Sequence, residues 1–175
     1  KERDKSSMDT EQDLVHFLSA PHLGGDLAGR TETEFCDFLI EELEATIADV
    51  GPENIMCMIA EPVLGSGGVI VPPADYNARC AAVVRSYGIL YIADEVVTGF
   101  GRLGHWFASE PVFGVVPDMI IFAKGVTSGY LPLGGFVVSE GLLNQVSGPA
   151  ANGNIFSTGY TWSANPVSCS AALAV

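Results

Sequence analysis

Apolar residues recur at helical spacing in two stretches of the chain. In the first, the capping-box pair Thr31 and Glu34 precedes an apolar run that ends at Gly51-Pro52. In the second, a helix is expected to open at Pro73 and to continue through Tyr87. The apolar residues of the first stretch are Phe35, Phe38, Leu39, Leu43 and Ile47.

Four continuous apolar runs of strand length alternate with these helices and with loops. Runs without polar interruption are typical of strands that are buried on both faces of a parallel sheet. The alternation predicts an α/β fold with a mostly parallel sheet flanked by helices. Residues 1–30 are polar and contain several glycines, so they are expected to be irregular. The four runs are Ile55–Ala60, Ile89–Ala93, Met119–Ala123 and Gly134–Val138.

Composition narrows the class of protein. The 175 residues are 48% hydrophobic, which suffices for one domain with a buried core. A net charge of −13 disfavours nucleic-acid binding, and no apolar run approaches the length of a membrane span. The polar N-terminus KERDKSSMDTEQD lacks the apolar region of a signal peptide. Four separated cysteines are typical of reduced core thiols in a cytoplasmic protein. The chain begins without methionine and stops within a predicted helix, which we interpret as an internal fragment of a longer protein.

Polar residues follow three of the apolar runs, at the edge where parallel α/β sheets bind ligands. Glu61 follows the first run, Asp94 and Glu95 follow the second, and Lys124 follows the third. Lys124 is the only lysine after Lys5. The residues alone leave two interpretations of it: a strand terminator that reaches solvent, or a reactive amine of the kind that forms Schiff bases.

The stretch from Asp94 to Gly104 also contains the glycine spacing G-x-G-x-x-G of a dinucleotide-binding turn. Two acids precede these glycines and would repel a pyrophosphate. Pro111 and Pro117 interrupt the region in which the required helix would follow. Both observations disfavour nucleotide binding. A serine hydrolase is disfavoured as well, because Leu64 stands where a nucleophile elbow around Ser66 would need glycine.

An acid and a lysine at adjacent strand ends suit another cofactor, pyridoxal phosphate. This cofactor needs a lysine for its Schiff base and a carboxylate that keeps its ring nitrogen protonated. Lys124 can supply the amine and Asp94 the carboxylate. Val96 lies two residues past Asp94 on the same side of the chain, so it can place an apolar group against the ring.

Four motifs between Ile55 and Val175 carry a family resemblance: AEPVLGSGGVIVPP, YIADEVVTGFGRLG, PDMIIFAKGVTSGYLPLGG and GYTWSANPVSCSAALA. Together they resemble the class III (subgroup II) pyridoxal-phosphate aminotransferases, and among these the ω-amino acid–pyruvate (amine–pyruvate) transaminases. The resemblance implies the large domain of fold type I pyridoxal-phosphate transferases, of which residues 31–175 would form a part. It also implies a homodimer with the active site at the interface.

The resemblance implies roles for five residues. Lys124 would form the Schiff base with pyridoxal 5′-phosphate and transfer a proton during the reaction, and Asp94 would pair with the pyridine nitrogen. Val96 would pack on the ring, and Glu61 would lie near the cofactor. Thr161 would reach across the dimer interface to the cofactor phosphate of the partner.

The reaction implied is a ping-pong transfer of an amino group from an ω- or β-amino acid, or another amine, to pyruvate or another 2-oxo acid. Ser66 stands where ornithine- and GABA-type members carry a second glutamate, which disfavours those types. Thr158 and Asn165 replace histidines that are frequent in the family, so the pattern around Thr161 is loosened. The fragment alone is expected to be inactive. Two alternatives stay open: an aminomutase or racemase on the same scaffold, and an inactive fragment.

Overall fold

The computed structural model describes residues 14–24, 29–157 and 159–175. Within them four strands form one sheet: β1 Cys57–Ala60, β2 Leu90–Asp94, β3 Met119–Phe122 and β4 Gly135–Val138. The spatial order is β1-β2-β3-β4. The first three strands run parallel, whereas β4 runs antiparallel to β3. This arrangement confirms the mostly parallel sheet that the apolar runs predict.

Five α-helices lie in the described part of the chain, and the first two correspond to the helices that the apolar spacing predicts. The first begins where its capping box predicts, because the Thr31 side chain accepts from Glu34 N at 3.2 Å and Glu34 Oε2 accepts from Thr31 N at 2.8 Å. Gly51, at φ 86°, ends it. The α-helices are α1 Glu32–Val50, α2 Tyr76–Ser86, α3 Ser109–Phe113, α4 Glu140–Val146 and α5 Pro166–Leu173.

The start of α2 differs from the prediction. Instead of opening the helix, Pro73 begins a turn in which Tyr76 N donates to its carbonyl at 3.0 Å. The N–H of Ala74 is directed away from α2 and donates to Glu32 Oε1 in the first turn of α1 at 2.9 Å. This hydrogen bond joins the segment before α2 to the first turn of α1, 42 positions earlier in the chain, so no local pattern reveals it.

The core lies between α1, α2 and one face of the sheet. Its centre includes Cys80 of α2, whose burial raises the pKa of the thiol to about 12, so it is protonated at neutral pH. Burial also raises the pKa of the Cys36 thiol. All four cysteines are free, and these two match the reduced core thiols that the sequence predicts. The most buried core residues are Phe35, Leu39, Ile47, Cys80, Ala81, Val84, Ile89, Tyr91, Ala93 and Val115.

Before α1 the described chain is irregular. Residues 15–24 contain no helix or strand, and Ser19 ties this segment to α1 by donating to Glu42 from both its N–H and its hydroxyl, at 3.0 and 2.9 Å. The rest of the segment that was expected to be irregular, residues 1–13 and 25–28, lies outside the described residues.

Candidate functional site

The parallel strands bring three chemistry-bearing residues to one edge of the sheet. Glu61 follows the last residue of β1, Asp94 is the last residue of β2, and Lys124 comes two residues after β3. The register pairs Asp94 with Ile121, so β2 and β3 end side by side. Because all three strands point the same way, their carboxyl ends form the edge at which α/β proteins bind ligands.

A pocket of about 540 Å³ opens at this edge, within the range of about 300–1,000 Å³ typical of small-molecule sites. Two of the five predicted site residues, Lys124 and Val96, line it. Most of the remaining wall comes from the glycine-rich loop after β2. Gly99 and Gly101 of this loop therefore line the pocket and do not lead into a nucleotide-binding helix. The lining residues are Val96, Val97, Gly99, Phe100, Gly101, Arg102, Lys124 and Gly125.

Lys124 has an unusual backbone. It opens a short 3₁₀ helix, Lys124–Thr127, at φ 46°, in the left-handed region that costs a side-chain-bearing residue about 1–3 kcal/mol. The next residue, Gly125, packs against the loop after β2, since an added Cβ would lie 3.0 Å from Phe100 Cβ. The side chain of Lys124 is exposed and forms no salt bridge with any described residue. Strain of this kind concentrates at functional sites.

Asp94 is half-buried next to the pocket wall. Its Oδ1 accepts a hydrogen bond from Val96 N at 3.1 Å, which fixes the carboxyl group relative to the first lining residue. Its other oxygen, Oδ2, has no hydrogen-bond partner within residues 14–24, 29–157 and 159–175. Val96 itself is half-buried and lines the pocket. Asp94 itself does not line the pocket, but its carboxyl group is held against the backbone of a residue that does.

Glu61 has a structural partner at the same edge. Its Oε2 accepts from Gly65 N at 2.9 Å and so closes the loop after β1. Gly65 in turn packs on Val97 of the pocket wall, since an added Cβ would lie 2.6 Å from Val97 Cγ2. Glu61 is therefore not among the residues that line the pocket, although the loop that it closes contacts one of them.

Thr161 is not brought to this pocket. It lies exposed in the turn at residues 161–164, just before α5. Asn165, which departs from the family's histidine, caps α5 through Oδ1, which accepts from Val167 N at 3.0 Å and from Ser168 N at 3.2 Å. Thr158, the other departure, lies outside the described residues.

Glu95 is the residue that sequence reasoning missed. Its side chain is 0% exposed, and its carboxylate accepts hydrogen bonds from Thr98, Ala108 and Ser109. The sequence places this acid at the ligand-binding edge beside Asp94 but does not reveal that its side chain is buried. Alternation along a strand was the available signal, because it directs Glu95 to the opposite side from Asp94 and Val96.

Aromatic rings pack around Phe100 in the loop after β2. Phe100 packs edge-on against Phe107 at 5.4 Å and against Phe122 of β3 at 5.5 Å between ring centroids. Trp106 contacts Phe100 at 6.1 Å but keeps most of its surface exposed. Phe107 is therefore a packing residue in the structure.

A pocket at the carboxyl edge of a parallel sheet defines a ligand-binding α/β domain. The family model of the aminotransferase class-III proteins matches residues 2–175. The chain belongs to this family, whose enzymes depend on pyridoxal 5′-phosphate. None of the helices that the structure describes is long and apolar enough to cross a membrane.

Three known proteins show the similarity in detail. The chain is 42% identical over 160 residues to a putrescine–pyruvate aminotransferase of Pseudomonas aeruginosa, covering 91% of this chain and 34% of that protein. It is 45% identical over 147 residues to a probable γ-aminobutyrate transaminase 4 of Oryza sativa subsp. japonica, covering 84% and 30%. An (S)-enantioselective ω-transaminase of Thermomicrobium roseum superimposes with a TM-score of 0.82 at 48% identity, covering 89% and 34%. The chain therefore spans about a third of the length of these relatives.

Proposed function

We propose that the chain forms the lysine-bearing part of the active site of a longer pyridoxal-phosphate-dependent aminotransferase. That enzyme moves an amino group from an ω- or β-amino acid, or another amine, to pyruvate or another 2-oxo acid. The observation that carries the proposal is Lys124, whose amine forms no salt bridge with the described residues and whose strained backbone lies at the pocket on the carboxyl edge of the sheet. Because the chain belongs to the aminotransferase class-III family, the cofactor that this amine would bind is pyridoxal 5′-phosphate.

The residues around the pocket fit pyridoxal phosphate in three respects. Lys124 offers an amine, and Asp94 offers Oδ2, which no described residue engages. Val96 offers a half-buried apolar side chain that lines the same pocket as Lys124. When bound, pyridoxal phosphate supplies an electrophilic carbonyl carbon and an electron-withdrawing ring, the chemistry that amino-group transfer requires.

Each of these residues has a distinct task. Lys124 would hold the cofactor through Nζ and, once released from it, would move a proton at the reacting carbon of the substrate. Asp94 would pair its carboxylate with the ring nitrogen and favour the protonated form of that nitrogen. Val96 would place its apolar side chain against the ring and exclude water there. In the ping-pong order the donor leaves as a carbonyl compound before the oxo acid enters.

The substrates are proposed from the relatives. The name of the Pseudomonas aeruginosa relative supports pyruvate as the acceptor and a diamine as one donor class. The rice relative carries the name of γ-aminobutyrate, so the expectation that Ser66 disfavours GABA-type members has no support from it. Both donor classes therefore belong in the first assays.

A homodimer is proposed as the working assembly, with Thr161 reaching the cofactor phosphate of the partner. The support is that Thr161 is exposed and lies between two large exposed aromatic residues, Tyr160 at 83% and Trp162 at 80% exposure. Apolar side chains exposed in this way mark interaction surfaces. We also propose a cytoplasmic location, because free cysteines are typical of reducing compartments.

The full-length protein mixed with pyridoxal phosphate is expected to develop a visible absorption band that the free cofactor lacks. An amine donor such as putrescine, added without an oxo acid, should remove the band and release a carbonyl compound. Pyruvate should then restore the band and yield alanine, because each half-reaction reverses the change left by the other. Absorbance spectroscopy together with mass spectrometry of the products measures both halves.

Two results would contradict this proposal. The first is a band that persists with diamine and amino-acid donors alike. The second is rearrangement or racemisation of the donor without release of a carbonyl compound, which would favour the aminomutase or racemase on the same scaffold.

The 175 residues alone are expected to show little or no turnover. They span 34% of the Pseudomonas aeruginosa relative, and Thr161 does not lie at the Lys124 pocket of its own chain. The measurement is alanine formation from pyruvate by the fragment and by the full-length protein at equal molar concentration. Comparable rates from both would show that the described pocket is a complete site.

A further inference from the structure

Glu95 is the only charged residue that is buried among those that the structure describes, and none of the proposed tasks uses it. Its carboxylate accepts four hydrogen bonds, two at each oxygen. Oε2 accepts from Thr98 Oγ1 at 2.9 Å and from Ala108 N at 2.7 Å. Oε1 accepts from Ser109 N at 2.8 Å and from Ser109 Oγ at 2.6 Å. A buried carboxylate with this many donors is a strong local anchor.

The four donors lie at the two ends of the loop at residues 96–108, which we call the pocket loop. Thr98 stands at its beginning, whereas Ala108 and Ser109 stand where it enters α3. Between them the loop is closed on itself, because Phe100 N donates to the carbonyl of Trp106 at 2.6 Å. Glu95 therefore fixes both ends of the segment that supplies most of the pocket wall.

The pocket loop is in turn packed against the backbone at Lys124. Gly99 N donates to the carbonyl of Glu95 at 2.9 Å, and an added Cβ on Gly99 would lie 2.9 Å from that oxygen. On the other side of the loop, an added Cβ on Gly125 would lie 3.0 Å from Phe100 Cβ. The chain of contacts thus runs from Glu95 through Gly99 and Phe100 to the residue after Lys124.

We infer that Glu95 is the positioning residue of this site: it holds the pocket loop in the place that fixes the left-handed turn at Lys124. The inference rests on the proposed aminotransferase function. All four groups that contact the Glu95 carboxylate are hydrogen-bond donors on three residues, which suits a carboxylate with two accepting oxygens. A glutamine in its place would turn an NH₂ group toward one pair of donors, and a donor facing donors in a buried position loosens the loop.

The test compares Glu95→Gln with Glu110→Gln in the full-length protein. Glu110 lies exposed on α3, so its replacement makes the same chemical change one residue past Ser109 without touching the anchor. In the cofactor-free protein, amide hydrogen exchange of residues 98–109 should be faster by roughly tenfold or more in Glu95→Gln and unchanged in Glu110→Gln. This readout does not depend on activity.

The same variants are then titrated with pyridoxal phosphate. Glu95→Gln should bind it roughly tenfold more weakly, shift the visible band, and lower kcat by roughly tenfold while KM for the amine changes by less than about twofold. If amide hydrogen exchange and pyridoxal-phosphate binding of Glu95→Gln equal those of Glu110→Gln, the inference is overturned. Faster exchange with unchanged binding, band and kcat would overturn it too, because Glu95 would then serve folding alone.

Ser109→Ala covers the case in which Glu95→Gln does not fold. It removes one of the four donors and leaves the carboxylate with three. The same directions of change, at smaller size, support the inference, and their absence overturns it. A wild-type protein that forms no visible band refutes the proposed function and this inference with it. If the wild-type protein forms the band and Glu95→Gln and Ser109→Ala show the same band, the inference is refuted and the proposed function is not.

Discussion

Replacing Lys124 with alanine in the full-length protein is expected to abolish the visible cofactor band and to lower kcat by roughly 10⁴-fold or more. No other lysine follows Lys5 in the chain, and within the described residues Lys124 is the one that lines the pocket. Without its amine, neither the covalent attachment nor the proton transfer has a group to perform it. Absorbance after addition of pyridoxal phosphate and alanine formation from pyruvate measure the two losses.

Lys124→Arg separates the role of the amine from that of the charge. Arginine keeps a positive charge in the pocket but stays protonated at neutral pH, so it cannot act as a nucleophile or base. We expect it to be as inactive as the alanine variant. If either variant kept a band that an amine donor removes, another residue would be the attachment site and the proposed role of Lys124 would be wrong.

The first helix could be predicted to the residue because its signals are local. Thr31 and Glu34 satisfy each other's backbone groups within one turn, and Gly51 supplies the positive φ that ends the helix. The strand ends were predictable for a similar reason, since uninterrupted apolar runs stop at the polar residues Glu61, Asp94 and Lys124. Parallel pairing then brings these ends together without any further information.

The geometry of the site itself could not be predicted. The left-handed backbone of Lys124 has no signal in the residue type, and it accompanies the close approach of Gly125 to Phe100, which only the folded chain shows. The partners of Glu95 lie three, 13 and 14 positions along the chain, so no local pattern marks them. Glutamate is ordinarily found at the surface, and it is these long-range hydrogen bonds that allow Glu95 to be buried.

Glu61 and Thr161 mark the limit of inference from family resemblance. The motif predicts that Glu61 lies near the cofactor, whereas in the structure its carboxylate accepts from Gly65 N and does not line the pocket. The motif assigns Thr161 to the site of the partner, and within its own chain it lies in an exposed turn. Both roles stay predictions, because each depends on a cofactor or a second chain.

Asp94→Asn is expected to have the second largest effect, a fall in kcat of roughly 10²-fold or more together with weaker binding of pyridoxal phosphate. The asparagine oxygen can still accept from Val96 N, so the local backbone is preserved and only the negative charge is lost. Without that charge the nitrogen of the bound ring would hold its proton less tightly, and the ring would withdraw electrons less strongly. Steady-state kinetics and cofactor titration measure the two effects.

The matched control for that variant is Asp37→Asn, which makes the same change in an exposed ion pair with Arg79 on the surface of α1. Exposed pairs contribute at most about 1 kcal/mol, so we expect its kcat and its affinity for pyridoxal phosphate to equal those of the wild type. The comparison tests whether the charge at the end of β2 acts on the reaction or only on the fold. Wild-type kcat in Asp94→Asn would show that the ring nitrogen does not depend on this carboxylate, and the assignment of Asp94 would then fail even if Lys124 were shown to bind the cofactor.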